Sequence, residues 1–114
     1  DMIESEFQKN LILKIRTMFE GCIVLKNDSA YLQGIPDILI LFRRRWAALE
    51  FKRSLNSPKR PNQVYYVDQM NEMSYAAFVC PENEEDVLYD LQQTFRPRWT
   101  PRIPKRQQVP LDEL

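Results

Sequence analysis

The segment from Gly34 to Lys52 constrains the fold more than any other part of this sequence. Residues Ile38 to Phe42 form a continuous apolar run, which is typical of a β-strand buried on both faces. Three arginines follow this run and favour an exposed turn, and the residues from Trp46 to Lys52 predict a return strand. The segment is therefore predicted to form a β-hairpin.

The return strand carries two charged residues in apolar surroundings. Side chains alternate along a strand, so Ala48, Glu50 and Lys52 share one face, while Leu49 and Phe51 share the other. The apolar neighbours predict a largely buried strand, and charged residues are rarely buried without a partner or a task. Glu50 and Lys52 are therefore predicted to be functional. The alternative is that Glu50 and Lys52 form a solvated ion pair on an exposed face of the sheet.

The register of the hairpin decides what lies opposite these residues. If residues 44–45 form a two-residue turn, Asp37 lies opposite Lys52 and Glu50 lies opposite Leu39. Cross-strand neighbours are about 4.5–5.5 Å apart at Cβ, so Asp37, Glu50 and Lys52 converge on one face. Two carboxylates at this spacing can hold a divalent cation. The Lys52 ammonium can orient or deprotonate a nearby water, and the pattern predicts a hydrolytic site for a phosphodiester.

The same residues resemble a known enzyme superfamily. A Pro-Asp pair, a strand and a Glu-x-Lys triplet are similar to the PD-(D/E)xK nucleases, and here they are Pro36-Asp37 and Glu50-Phe51-Lys52. Three further features resemble the small stand-alone virus-type replication-repair nucleases, the VRR-NUC group: Glu4-x-x-x-Gln8, Gly34 before Pro36-Asp37, and Pro61-Asn62-Gln63. The resemblance extends from Glu4 to about Phe95.

The resemblance implies a metal-dependent DNA endonuclease. Asp37 and Glu50 would ligate Mg²⁺ or Mn²⁺ together with the backbone carbonyl of Phe51. Lys52 would position or activate the attacking water and stabilise the charge that develops on the phosphate.

Two helical residues complete the implied site. A first-helix acid would assist at the metal, and Glu4 is preferred to Glu6 because it shares a helix face with Gln8. Gln63, in the first turn of the next helix, would reach back toward the site. The alternatives are that Glu4 is a first-turn acid favoured by the helix dipole, and that Gln63 is a solvent-facing polar residue.

The resemblance also implies a homodimer that acts on branched DNA. One site cuts one strand, so symmetric cleavage of a four-way junction needs two sites related by a two-fold axis. The alternatives are a nuclease for flaps, nicks or single strands, or a non-catalytic nucleic-acid-binding module with a vestigial site.

Positive charge is unevenly distributed although the net charge is zero. From Arg43 to Arg60 there are seven basic residues and one acid, and from Arg96 to Arg106 there are five basic residues and no acid. This basic charge is predicted to flank the proposed site, to contact phosphates and to give a weak sequence preference. The predicted DNA-binding residues are Lys26, Arg43, Arg44, Arg45, Arg53, Lys59 and Arg60.

Composition excludes several other classes of site and protein. The chain has no histidine, which excludes histidine-dependent zinc sites and catalytic triads. Cys22 and Cys80 lie in predicted strands and are expected to be reduced core residues. No apolar run is long enough for a membrane span and no secretory signal is visible. We expect a cytoplasmic protein with no membrane partner.

The remaining pattern predicts an α/β fold in a chain of 114 residues. Helices are expected at residues 3–19, at residues 61–73 and after an Asn83 cap, with further strands at residues 22–25 and 75–80. The predicted buried helix residues are Phe7, Leu11, Ile15, Met18, Tyr66, Val67, Met70, Met73, Val87, Leu88 and Leu91. We expect a restriction-endonuclease-like core whose central mixed sheet combines a three-stranded meander with a fourth strand, flanked by helices. Residues 1–95 would form a single nuclease domain, and residues 96–114 a Pro-rich basic tail.

Overall fold

The computed structural model describes residues 3–97 and has a four-stranded mixed sheet with helices on both faces. In chain order the elements are α1 (Glu4–Met18), β1 (Ile23–Lys26), β2 (Ile38–Phe42), β3 (Arg45–Phe51), α2 (Pro61–Met73), β4 (Tyr75–Val79), a 3₁₀ helix (Pro81–Asn83) and α3 (Glu84–Thr94). The strand order is β1-β2-β3-β4. The first three strands are antiparallel, and β4 is parallel to β3. The predicted α/β class, with a meander and a fourth strand, is confirmed. Most of the predicted tail lies outside the described residues.

The hairpin turn lies one residue earlier than predicted. Phe42 pairs with Arg45, so Arg43 and Arg44 form the turn, and Arg43 has a φ of 57°. A positive φ at the first central residue is what the tight turns of β-hairpins require. Ile38 pairs with Leu49, and the same register continued by one step places Asp37 opposite Glu50. The predicted pairing of Asp37 with Lys52 is wrong by two residues, and a shift of two leaves every side chain on its predicted face.

The larger part of the core lies between the sheet and the two helices α1 and α3. Phe7, Leu11 and Ile15 of α1 recur at helical spacing, and all three are buried. The predicted burial of Met18 is wrong, because the helix ends there and Met18 is 38% exposed. Phe19 is buried instead, with its ring centroid 5.6 Å from that of Phe42 and 5.0 Å from that of Phe95.

The second helix covers only half of the opposite face of the sheet. Val67 packs there against Ala48 and Ala76, and these small residues let the helix approach closely. Over β2 the coverage is incomplete, so Leu39 is only half-buried and the predicted burial of this strand on both faces is correct for one face alone. The predicted burial of Met73 is also wrong, since its side chain is 72% exposed.

The predicted Asn83 cap of α3 is wrong, and an arginine that the sequence did not single out for this role stabilises the other end of the helix. Asn83 precedes the helix, but its side chain accepts a hydrogen bond from the Cys80 N–H and donates one to the Phe78 carbonyl, so it does not cap α3. At the other end, Arg45 Nη1 donates to the carbonyls of Thr94, at 2.9 Å, and Arg96. A guanidinium at this position satisfies carbonyls that have no partner within the helix.

The two ends of the sheet have different chemical character. The hairpin end carries Arg43 and Arg44. The open end carries Lys26, which pairs with Ile38, and Phe51, which pairs with Val79. Both cysteines are free and lie beside strands, with Cys22 just before β1 and Cys80 just after β4. Within residues 3–97 no helix combines the length and apolar character needed to cross a bilayer.

Candidate active site

The open end of the sheet carries the three residues that the sequence singled out. Asp37 immediately precedes β2, Glu50 is the last residue but one of β3, and Lys52 follows β3. Asp37 and Glu50 line a cleft of about 420 Å³. Its other lining residues come from the loop before β2 and from the start of α2, and they are Ser29, Ala30, Gln33, Gly34, Ile35, Arg60, Asn62 and Gln63.

Backbone contacts hold the Asp37 carboxylate in position. Its Oδ2 accepts a hydrogen bond from the Phe51 N–H at 2.8 Å, which ties the start of β2 to the end of β3. Asn27 holds the other side, because its N–H donates to the Asp37 carbonyl and its Nδ2 donates to the Pro36 carbonyl, both at 2.8 Å. The positioning role of Asn27 was missed from the sequence, where the only signal was an amide residue at the end of a predicted strand.

Gln63 joins the remaining side chains of the cleft. Its Nε2 donates to Glu50 Oε2 at 3.1 Å, while its Oε1 accepts from Lys52 Nζ at 2.9 Å and from the Arg60 N–H at 3.1 Å. Lys52 Nζ also donates to the Pro58 carbonyl at 2.9 Å. Gln63 therefore fixes the distance between the carboxylate and the ammonium. The structure brings this residue to the cleft, and its role in catalysis stays a prediction.

Gly34 lets the loop before β2 approach the start of α2. Its φ is +92°, and a Cβ at this position would lie 2.8 Å from the backbone carbonyl carbon of Asn62. Only glycine combines this backbone conformation with such a close approach. The contact closes one wall of the cleft beside Pro36 and Asp37.

Burial makes both carboxylates weaker acids than usual. Burial raises the pKa of Asp37. It also raises the pKa of Glu50 to about 7, with the charge of Asp37 as the next cause. Glu4 adds to the raised pKa of Glu50, whereas Glu6 is exposed and has no such effect. The role of Glu4 as the first-helix acid stays a prediction.

The donor set fits a hard divalent cation. Within residues 3–97 the one salt bridge joins Lys14 to Glu84. Neither Asp37 nor Glu50 therefore forms a salt bridge with a lysine or an arginine of the described chain. No three His, Cys, Asp or Glu side chains of the described chain form a metal-binding group. Mg²⁺ is commonly bound through one or two carboxylates, with water and substrate phosphate as further ligands. The Phe51 carbonyl points to the same side of β3 as its N–H, which faces Asp37.

A structural comparison supports the relationship indicated by the motif. No family model matches this sequence, and no curated protein matches it. A solved structure described as a "VRR_NUC domain protein" superposes with a TM-score of 0.62 at 17% sequence identity, over 84% of this chain and 90% of that chain. This chain has a VRR-NUC-like fold. The resemblance drawn from Pro36-Asp37 and Glu50-Phe51-Lys52 is confirmed at the level of the fold.

The VRR-NUC-like fold separates the predicted DNA-binding residues into two groups. Lys26, Arg53, Lys59 and Arg60 lie toward the open end, where Lys59 Nζ sits 5.2 Å from the centre of the Phe78 ring. Arg43 and Arg44 lie at the hairpin end, about 17 Å away along five strand residues. The inference that the whole basic run flanks the site is therefore wrong, because the strands carry the turn away from it. Arg45 is held by the carbonyls at the end of α3 and is not one of the proposed DNA contacts.

The raised pKa of Glu50 predicts that the metal-free protein becomes less stable as the pH rises through the range in which this side chain loses its proton. Its pKa rises from 4.5 to about 7 on folding, so between these values the folded state keeps a proton that the unfolded state has released. The stabilisation is complete below pH 4.5 and is lost as the pH rises to 7. Relative to Glu50→Gln, the wild-type protein should lose about 1–2 kcal/mol of unfolding free energy over this range, after allowance for solvent screening.

Thermal denaturation in chelator at pH 5, 6, 7 and 8 measures this difference. Glu72→Gln, at an exposed position of α2, is the matched control and should follow the wild type. A constant difference between wild type and Glu50→Gln at all four pH values would contradict the assignment of a raised pKa to Glu50.

Proposed function

We propose that this protein is a Mg²⁺- or Mn²⁺-dependent DNA endonuclease of the PD-(D/E)xK type. The observation that carries the proposal is the cleft at the open end, where the buried carboxylate of Glu50 and the half-buried carboxylate of Asp37 lie beside Lys52 and Gln63 and form no salt bridge among residues 3–97. A phosphodiester supplies the negative charge that a bound cation and a lysine would both attract. The VRR-NUC-like fold supports the same reaction class.

Each residue of the cleft has a distinct proposed task. Asp37 and Glu50 would hold the cation with the Phe51 carbonyl, and Glu4 would assist from the first turn of α1. The bound ion would neutralise charge on the scissile phosphate. An ammonium group has three N–H donors, and Lys52 uses two of them on Gln63 and Pro58. The third donor is available to orient the attacking water or to contact a phosphate oxygen.

A cleavage panel tests this function directly. Four-way junction, flap, nicked, duplex and single-stranded DNA are each incubated with Mg²⁺, Mn²⁺ or chelator. Cleavage that requires the metal is the expected result. Salt-dependent DNA binding without cleavage of any substrate would overturn the proposal in favour of a binding module with a vestigial site.

The basic residues nearest to the cleft should contribute most to DNA affinity. Replacing Lys59 and Arg60 with Gln is expected to lower the slope of log affinity against log salt by about 1.8, or about 0.9 for each lost phosphate contact. The double replacement of Arg43 and Arg44, at the hairpin end, should have a smaller effect. Binding to a short duplex in chelator, followed by fluorescence anisotropy, measures both slopes. A larger effect from the hairpin pair would place the DNA at the other end of the sheet.

We further propose that the enzyme acts as a homodimer on branched DNA. The supporting observation is an apolar surface on the half of the sheet that α2 leaves uncovered, where Ile23 is 56% exposed and Leu25 is 44% exposed. These side chains alternate with Val24, which packs into the core on the other face. Strand β1 is also an edge strand, and exposed apolar patches at sheet edges commonly mark protein interfaces. The Pro-rich tail carries three further apolar residues, Trp99, Ile103 and Val109, which are expected to pack on the partner subunit and lie outside the described residues.

Light scattering combined with product mapping tests the dimer. The wild-type protein should have twice the mass of the chain and should cut a four-way junction symmetrically. Leu25→Asp should give a monomer, because a carboxylate buried in the interface would have no partner. This monomer should cut only one strand of the junction. Tyr89→Asp, at an exposed aromatic residue of α3, should remain dimeric. A wild-type monomer, free and DNA-bound, would leave the nicking or flap-cutting alternative.

A further inference from the structure

We propose that the groove between α1 and β1 binds the phosphate backbone of one strand of the DNA duplex that leaves the cleft. The inference rests on the proposed nuclease function and adds Lys9 and Arg16 to the substrate-contacting residues. It gives the protein a second, non-catalytic contact with its substrate.

The groove is lined by cations and by apolar residues. It has a volume of about 520 Å³. Its lining residues are Ser5, Gln8, Lys9, Ile12, Leu13, Arg16, Val24 and Lys26, which include three cations and no acid. The apolar residues can support the aliphatic stems of the long side chains while the charged groups face outward. Such a surface suits a strand of phosphates.

The three cations of the groove are not neutralised by salt bridges in the described chain. Within residues 3–97 none of Lys9, Arg16 and Lys26 forms a salt bridge. Lys14, on the same helix, differs because its Nζ lies 2.7 Å from Glu84 Oε2. In a protein with zero net charge, a groove with three cations and no acid creates a local positive potential that attracts polyanions.

The direction of the groove connects it to the cleft. Helix α1 begins at the open end, where the Phe7 ring centroid lies 5.9 Å from that of Phe51. It ends at the hairpin end, where Phe19 contacts Phe42. Lys26 is the last residue of β1 and pairs with Ile38, next to Asp37. The groove therefore begins at the same end of the sheet as the candidate active site and runs along the α1 face toward the hairpin end.

The spacing of the cations matches a nucleic-acid strand. Lys9 and Arg16 are seven residues apart on α1, which corresponds to about 10 Å at 1.5 Å per residue. One strand of duplex DNA advances about 3.4 Å per nucleotide along the axis, so the pair spans about three nucleotides. No aromatic side chain lines the groove, and stacking on single-stranded bases is therefore not expected. Phosphate contact without base reading is the interaction that the lining supports.

Salt-dependent binding of a duplex tests the groove separately from catalysis. Anisotropy is measured in chelator, so cleavage cannot interfere, with a labelled duplex and a single strand of the same length. The double variant Lys9→Gln/Arg16→Gln is expected to lower the salt slope by about 1.8 on duplex DNA. Lys14→Gln is the matched control on the same helix and should leave the slope unchanged.

The outcomes distinguish failure of the groove from failure of the proposed function. A wild-type slope retained by the folded double variant would overturn the groove as a DNA site while leaving the nuclease proposal intact. If the wild-type protein never cleaves DNA but the double variant still has a lower salt slope of DNA affinity, the nuclease proposal alone would be overturned. A third outcome would overturn the groove's assignment to DNA. In it the wild type binds anionic phospholipid vesicles but shows no salt-dependent binding of DNA, and the double variant does not bind the vesicles.

Discussion

Replacing Asp37 with Asn is expected to lower the rate of DNA cleavage by about 1,000-fold, which corresponds to about 4 kcal/mol. The substitution removes one of the two charges that would hold the cation, and that ion is expected to supply several kcal/mol of charge stabilisation. The fold should survive, because an amide oxygen can still accept the hydrogen bond that Asp37 Oδ2 receives from the Phe51 N–H. Single-turnover cleavage of a four-way junction measures the rate, and calorimetric titration with Mn²⁺ measures metal affinity.

Two further variants separate metal binding from the chemical step. Lys52→Ala should also lose cleavage, but it should keep most of the metal affinity because an ammonium group cannot be a ligand. Asp68→Asn, at an exposed position of α2, is the matched control and should leave both measurements unchanged. A folded Asp37→Asn protein with full activity would disprove the assignment of this cleft as the catalytic site.

Gly34→Ala is expected to destabilise the protein by about 3 kcal/mol and to disturb the cleft. An alanine at a φ of +92° is strained by about 1–2 kcal/mol, and its Cβ would lie 2.8 Å from the backbone and side chain of Asn62. Relief of that overlap should cost about 1–3 kcal/mol more. Because Asn62 precedes Gln63 at the start of α2, the shift should also weaken the contacts of Gln63 with Glu50 and Lys52. Chemical denaturation measures the stability.

The chain contains its own control for this prediction. Gly21 has a similar φ of +89°, but a Cβ there would meet nothing within 4 Å. Gly21→Ala should therefore show the backbone strain alone, at about 1–2 kcal/mol. Equal destabilisation by the two substitutions would show that the approach of Gly34 to Asn62 adds nothing, and that the wall of the cleft does not depend on glycine.

Local sequence patterns determined the elements and the face that carries the candidate site. Pro61 marks the start of α2, and the period of Phe7, Leu11 and Ile15 identifies α1 because helical spacing brings these residues onto one side. The alternation of Glu50 and Lys52 assigned both to one face of β3. That assignment survived an error in the turn, because side-chain direction has a period of two and the register was wrong by two residues.

Burial at the ends of elements could not be predicted from the same patterns. Met18 and Met73 continue the apolar periods of their helices, yet both are exposed. Burial depends on whether another element covers the position, and coverage is a property of packing between distant segments. The chain turns after Met18 so that Phe19 faces the core. No element covers Met73 at the end of α2, and α2 itself leaves half of one face of the sheet without cover.

The positions of the basic residues show most clearly what the tertiary structure decided. The sequence by itself determined the motif Pro36-Asp37 and Glu50-Phe51-Lys52, because strand alternation is a local property. It grouped Arg43 to Arg45 with the site because they are near in sequence, but an extended strand carries them to the other end of the sheet. Lys9, Arg16 and Lys26 are far apart in sequence and line one groove only because α1 packs beside β1. The interaction of two charges depends on the distance between them in space. For these basic residues that distance is set by the packing of segments that are far apart in the sequence.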